Sequence, residues 1–395
     1  MASRTHEVPI DRTSGGTPTW RVPFNRPSIE GRELEYVAKA LRSDHISGDG
    51  EFTKQCQLLL ETELGVSKAL LTTSCTHALE MSALLLDVKD GDEVIVPSFT
   101  FVSTANAFVL RGAKPVFIDI RPDTLNFDER LFEGLVTPRT KVAVPVHYAG
   151  VGCEMDSIMQ TARTHGIAVV EDNAHGLFGK YRGQFLGTFG SVASQSFHET
   201  KNFSCGEGGA VLVNDPALTE RAEILREKGT DRSRYFRGQV DKYTWRDIGS
   251  SYLPSDLLAA VLLGQLEMRQ SIQAVRERLW HRYSSGLNDW ARAAGVTLPV
   301  IPSDRDSAYH LFHLLLPNGE TRQGLIQHLR ARGILSVFHY VPLHLSAMGR
   351  KFGGREGQCP VTEQLSDCLL RLPFYNSMSD VDQDLVIEAI RDFKA

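Results

Sequence analysis

No run of lysine and arginine, no closely spaced cysteine pair and no apolar stretch of the roughly 18 residues that a membrane span requires occurs in the 395 residues. Each gap removes a class of function. A net charge of −5 without a basic cluster argues against nucleic acid or an anionic membrane as the main partner, and leaves room only for a local site for a small anion. The six cysteines, at 56, 75, 153, 205, 359 and 368, show neither CxxC nor the His/Cys spacing of zinc, so they read as free thiols in a reducing compartment and no metal is expected. The N-terminus lacks the basic, apolar, small-residue order of a secretory signal, and the expected location is the cytoplasm. No GxxxxGK[ST] occurs and no strand runs into GxGxxG, which disfavours P-loop hydrolysis and dinucleotide oxidoreduction.

What is present suits a large core. Hydrophobic residues make up 42% of the chain, and the length suggests more than one domain-sized unit. Residues 1–20 read as a flexible tail, 21–265 as a large domain and 266–395 as a smaller C-terminal domain. From Lys68 to Asp215, short β-branched runs alternate with helix-like stretches, the pattern of an α/β fold with a mainly parallel sheet covered on both faces. The expected strands are 69–73, 93–96, 115–120, 142–146, 167–171, 191–197 and 210–213. A long amphipathic segment, 255–288, leads to further strands at 310–316 and 335–339.

Open α/β sheets carry their chemistry just beyond the carboxyl ends of strands. Beyond one run, Ser194-Gln-Ser-Phe-His-Glu-Thr-Lys-Asn202, followed by Glu207-Gly-Gly-Ala210, delivers Lys201 into a glycine-rich loop. An amine held there away from bulk water can attack a carbonyl and hold it as a Schiff base. Beyond another lies Asp172, either a structural cap or a functional carboxylate, and three residues on lies His175. Thr72-Thr-Ser-Cys75-Thr76 opens a helix, as a phosphate site or as a plain N-cap. Phe101, in Pro97-Ser-Phe-Thr-Phe101, can stack on a flat ring or belong to the core. Asp172 and Lys201 are one strand-helix-strand unit apart, so both can reach neighbouring strand ends. Arg234, Arg237, Lys242 and Arg246 form a basic stretch that could meet a diphosphate or stay a solvated loop.

Gly48-Asp-Gly50, Ser74-Cys-Thr76, Pro97 to Ala107, Val144-Pro-Val-His-Tyr-Ala-Gly150, Ser196 to Asn202 and Trp245-Arg-Asp-Ile-Gly-Ser-Ser-Tyr252 occur in one order. Through them the chain, from about 21 to 392, resembles the pyridoxal-phosphate-dependent sugar aminotransferases of the DegT/DnrJ/StrS group, within the aspartate-aminotransferase fold (fold type I). It is most similar to members that aminate C4 of dTDP-linked deoxyhexoses, antibiotic deoxysugar enzymes among them. The resemblance implies that Lys201 carries pyridoxal 5'-phosphate (PLP), Asp172 pairs with the pyridine nitrogen and Phe101 stacks on the ring. The backbone of Cys75 and Thr76, with the Ser196 hydroxyl, would bind the phosphate. His175 stands where the wider family has a glutamine beside the phenolic oxygen. Ser251 stands where many members carry an asparagine that reaches the partner subunit's phosphate.

Tyr340 and His344 match a segment near the sugar, and Arg246 is assigned to the substrate with them. The implied donor is L-glutamate, the acceptor a dTDP-4-keto-6-deoxyhexose, the assembly at least a homodimer, and the course ping-pong. Competing readings are a 3-keto-sugar aminotransferase, a keto-sugar dehydratase and a non-catalytic PLP-binding regulator. Lys201 argues against the dehydratases that place histidine there, and the scattered cysteines against those with an iron–sulfur cluster. The chain shows no basic recognition helix for a regulator.

Overall fold

The computed structural model describes residues 20–394; the tail expected over 1–20 lies, but for Trp20, outside them. Twelve strands follow one another in the described chain: β1 (Lys68–Thr72), β2 (Glu93–Pro97), β3 (Lys114–Ile118), β4 (Thr140–Ala143), β5 (Ala168–Asp172), β6 (Lys180–Tyr181), β7 (Gln184–Phe185), β8 (Val192–Ser196), β9 (Gly209–Val213), β10 (Arg305–Asp306), β11 (His313–Leu315) and β12 (Leu369–Arg371). All seven strands expected between Lys68 and Asp215 form, within a few residues of the expected ends. They make one sheet in the order β1-β9-β8-β5-β4-β2-β3. Its pairs are parallel except those of β9, which runs against both neighbours. A sheet buried on both faces needs near-continuous apolar strands, and β2 and β9 are buried at every position. Among the described residues no helix is long and apolar enough to cross a membrane.

Adjacent residues of a strand face opposite sides of a sheet, and β5 ends by placing two carboxylates back to back. Glu171 is fully buried. It accepts the amides of Gly187 (2.7 Å), Phe189 (2.7 Å) and Gly190 (2.8 Å) and meets His147 Nε2 at 2.9 Å. His147 Nδ1 accepts from the Cys153 amide at 3.2 Å, so Nε2 carries the hydrogen donated to Glu171. This side of β5 is structural, and Asp172 faces the other way.

The segment expected as one stretch over 255–288 is two helices, Asp256–Glu267 and Arg269–Ala294, joined at Met268 with φ −85° and ψ 8°. The first buries residues around most of its circumference, the second a single stripe that includes Ile272, Leu279, Tyr283 and Leu287. One straight helix could not present both patterns to the same surroundings. In the C-terminal part, 310–316 contracts to β11, whose antiparallel partner β12 was not expected. The segment 335–339 forms no strand and meets the backbone of β12 at the bridge Val337–Arg371. β12 follows the helix Pro360–Cys368 without a breaker residue, so its apolar run merges with the helical pattern. Val22, among the first described residues, bridges to Ile334 and packs in the core built by Leu279, Tyr283, Phe312 and Leu370.

Two aspartates cap helices from distant parts of the chain. Asp119, one residue past β3, accepts from the amides of Val361 and Thr362 at 2.8 Å each and from the Thr362 hydroxyl at 2.7 Å, at the start of the helix Pro360–Cys368. Asp256 accepts from the amides of Phe52 (3.2 Å) and Thr53 (2.8 Å) and from the Thr53 hydroxyl (2.7 Å). It supplies the cap that Gly50, the N-cap residue of Glu51–Leu64, lacks. A Cβ on Gly50 would come within 2.3 Å of that carboxylate. Asp256→Ala strips a buried helix end of its acceptor and is expected to cost about 2–4 kcal/mol, read as a lower urea midpoint with an unchanged slope.

Candidate active site

Because β9 is antiparallel to both β1 and β8, the carboxyl ends of β1, β8, β5, β4 and β2 lie along one edge of the sheet. The loops leaving them carry the candidate groups. Asp172 closes β5 and is 5% exposed. Its Oδ2 accepts from Thr104 Oγ1 at 2.7 Å, and its Oδ1 from the Ala174 amide at 3.2 Å. Thr104 lies on the helix Val102–Val109, three residues after Phe101, so one segment sets both. Phe101 is the N-cap residue of that helix and is 57% exposed.

The loop after β8 turns at His198, whose carbonyl accepts the Lys201 amide at 2.9 Å. Burial pushes the Lys201 amine down from the ordinary 10.5 to about 8; Cys75 and Asp172 act the opposite way, and Arg371 adds to the lowering. These four side chains thus share one electrostatic neighbourhood. An uncharged amine is the reactive form, so capture of PLP by cofactor-free protein is expected to quicken with rising pH and level off above about 8. Stopped-flow absorbance measures this, and a rate still climbing toward pH 10.5 would contradict it.

Cys75 and Thr76 open the helix Cys75–Leu85, whose N-cap residue Ser74 accepts the His77 amide at 3.1 Å. The amides of Cys75 and Thr76 have no partner within the helix and face outward with the positive end of its dipole. Burial raises the Cys75 thiol to about 12, so it is a neutral group here. Thr76 Oγ1 lies 2.8 Å from Ser103 Oγ. Ser196 closes β8 opposite Gly209. At Gly209 a Cβ would sit 2.4 Å from the Cys75 nitrogen, so only glycine lets β9 pass this close to the helix start.

His175 is buried, and burial holds its imidazole well below the usual value, with Lys201 and Arg371 adding to the effect. The ring is neutral. Its Nε2 lies 3.4 Å from the Tyr340 hydroxyl, and its Nδ1 has no hydrogen-bond partner. Tyr340 stacks on His339 with centroids 3.7 Å apart and meets Phe99 edge-on at 5.3 Å. The Tyr148 hydroxyl lies 2.8 Å from His339 Nδ1.

The remaining sequence candidates stand apart. His344 is fully buried, with Nδ1 2.6 Å from Ser98 Oγ and Nε2 3.0 Å from Glu363. Both ring nitrogens are engaged inside the fold. Arg246 donates from Nε to the buried Asp231 at 2.7 Å. Ser251 is exposed and bridges to Glu227. Neither hydrogen-bonds to Lys201, Asp172 or His175 within the chain. Sequence reasoning missed Thr104, Tyr148, His310, His339 and Arg371. Thr104 was legible as the next turn after Phe101; Arg371 lay hidden on the unexpected β12. Its guanidinium donates to the Phe338 carbonyl (3.2 and 3.0 Å) and lies over Phe24.

The sequence profile of the DegT/DnrJ/EryC1/StrS aminotransferase family matches residues 27–391. The spore coat polysaccharide biosynthesis protein SpsC of Bacillus subtilis is 35% identical over 379 residues, 94% of this chain and 96% of that protein. The crystal structure of S. venezuelae DesV, solved with a ketimine intermediate, superposes with a TM-score of 0.86 at 33% identity, covering 95% of this chain and 98% of that one. The PLP-form of Spr1654 from Streptococcus pneumoniae gives a TM-score of 0.86 at 29% identity, covering 94% and 97%.

Proposed function

Since the chain belongs to the DegT/DnrJ/EryC1/StrS aminotransferase family, with the fold of the PLP-dependent type I aminotransferases, we propose that it moves an amino group from L-glutamate to C4 of a dTDP-linked 4-keto-6-deoxyhexose. The observation that carries the reading is the meeting of a depressed lysine, Lys201, with a buried carboxylate, Asp172, at neighbouring strand ends.

The residues fit PLP. Gly209 admits the helix start that offers the Cys75 and Thr76 amides to a phosphate, Asp172 offers a carboxylate to a ring nitrogen, and His175 keeps an unpartnered Nδ1 in the same neighbourhood. When bound, PLP supplies an electron sink for the carbon that loses its proton. Asp172 holds the ring nitrogen protonated, and Thr104 fixes the rotamer of that carboxylate. Lys201, its amine lowered to about 8 so that an uncharged fraction is within reach near neutral pH, takes the proton from the donor carbon and returns it, as a general base and then a general acid. Phe101 would hold the face of the ring and the Ser196 hydroxyl the phosphate. Tyr340, packed between His339 and Phe99, presents a hydroxyl and a flat face to the sugar. The C4 position and the nucleotide rest on the motif resemblance, and the polysaccharide role named for SpsC agrees with a carbohydrate acceptor. A homodimer in the cytoplasm, with Ser251 reaching the second subunit's site and Arg246 near the diphosphate, completes the reading. So do the division near 265 and the loose first twenty residues.

The test is a visible spectrum as glutamate and then dTDP-4-keto-6-deoxyglucose are added. The lysine-bound cofactor band is expected to fade with glutamate and return with the keto sugar. Fading without return would move the acceptor elsewhere, a 3-keto sugar first. Absence of the band would remove Lys201 from its role.

A further inference from the structure

His175 lies on a second imidazole. His310 stacks on it with centroids 4.1 Å apart and planes 24° from parallel. Buried rings in such contact define one another's tilt. His310 is in turn keyed to the loop of Lys201: its Nδ1 lies 2.9 Å from Asn202 Oδ1. The Asn202 amide nitrogen donates to the carbonyl of Ala308 (2.6 Å) and to Gln273 (3.3 Å), so the oxygen faces the ring and His310 Nδ1 carries the hydrogen.

The backbone under His310 is held as firmly. Tyr309 has φ 50°, a left-handed conformation that costs about 1 kcal/mol or more for a residue with a Cβ. The buried Arg276 secures this turn by donating to the carbonyls of Tyr309 (2.9 Å) and His310 (2.5 Å) and to Asn376 Oδ1 (2.8 Å). Asn376 returns a hydrogen bond to the Asn202 carbonyl at 3.2 Å. None of Arg276, Asn376 or Asn202 pairs with a carboxylate among the described residues.

We propose that His310 is a positioning residue that couples the Lys201 loop, through Asn202, to the orientation of His175 toward the cofactor ring. It rests on the proposed placing of His175 beside the phenolic oxygen. The titratable groups around the stack are Lys201, His175, His339, His313, Arg276, Arg371, Tyr148 and Tyr340.

The test is a double-mutant cycle read as the pH midpoint of the visible band of the PLP-loaded protein, using His310→Leu, His175→Leu and both together. Each single change is expected to move the midpoint by about half a unit or more, and the double change to move it no further than His175→Leu alone, because His310 acts only through His175. His310→Phe keeps a flat ring of comparable volume on His175 but loses the hydrogen bond to Asn202, and should restore only part of the midpoint; full restoration would overturn the link through Asn202. A His310→Leu midpoint equal to wild type, while His175→Leu shifts it, would overturn the coupling and leave His175 at the cofactor. If neither variant shifts it, the placing of His175 fails and takes the coupling with it. Should His310→Leu not fold, nitrogen-15 spectra of histidine-labelled wild-type protein decide: a hydrogen on His310 Nδ1 is expected, and one on Nε2 alone would overturn the link to Asn202.

Discussion

Lys201→Ala is expected to lower turnover by about four orders of magnitude, the upper range for losing a positioned acid–base group, while the fold survives. The Lys201 side chain makes no hydrogen bond within the described residues; its backbone amide, bonded to His198, is untouched by the substitution. The sign of the stability change follows from the pKa. The native amine titrates near 8 and an ordinary lysine near 10.5, so burying the charged form opposes folding in full below pH 8. That cost fades as pH rises through 8 toward 10.5. The alanine variant should therefore melt no lower than wild type at pH 7, both without cofactor, and its relative advantage should shrink toward pH 10. Normal amination by this variant would sink the assignment, and a lowered melting temperature at pH 7 would contradict the account of burial.

Asp172→Asn should cost about 10²–10³-fold in turnover, the scale of removing one preorganised electrostatic partner. The amide oxygen can still accept from Thr104 or Ala174, so the loss isolates the negative charge. Burst kinetics with glutamate alone would place the loss in proton removal at the donor carbon. Turnover within a few fold of wild type would remove Asp172 from the mechanism.

The sheet and three of the loops at its carboxyl edge were legible because a parallel strand buried on both faces leaves a β-branched run, and the residue after such a run stands at that edge. Lys201, Asp172 and the Cys75–Thr76 helix start, picked by that rule, all stand at that edge. The rule fails where a strand is short or abuts a helix, as at β12, and so Arg371 went unseen. It fails again for rings: nothing in the spacing of His175, His310 and His339 marks them as neighbours, since three separate loops bring them together. His344 shows a related limit. It sits in a matching segment, four residues after Tyr340, but its ring turns inward to join Ser98 to Glu363, and side-chain direction in an irregular segment has no period to read.

The paired carboxylates at the end of β5 have a consequence for descent. Because the pleat has a period of two, inserting or deleting one residue within Ala168–Asp172 would exchange their sides. Glu171 would be presented to the chemistry, and Asp172 to three amides and an imidazole spaced for a longer side chain. Damage to the scaffold and to the catalyst would then come as a single event, with no intermediate that keeps one and loses the other. Length variation is accordingly expected in the surface loops of relatives and not in this strand, where reading frame and reactivity are the same constraint.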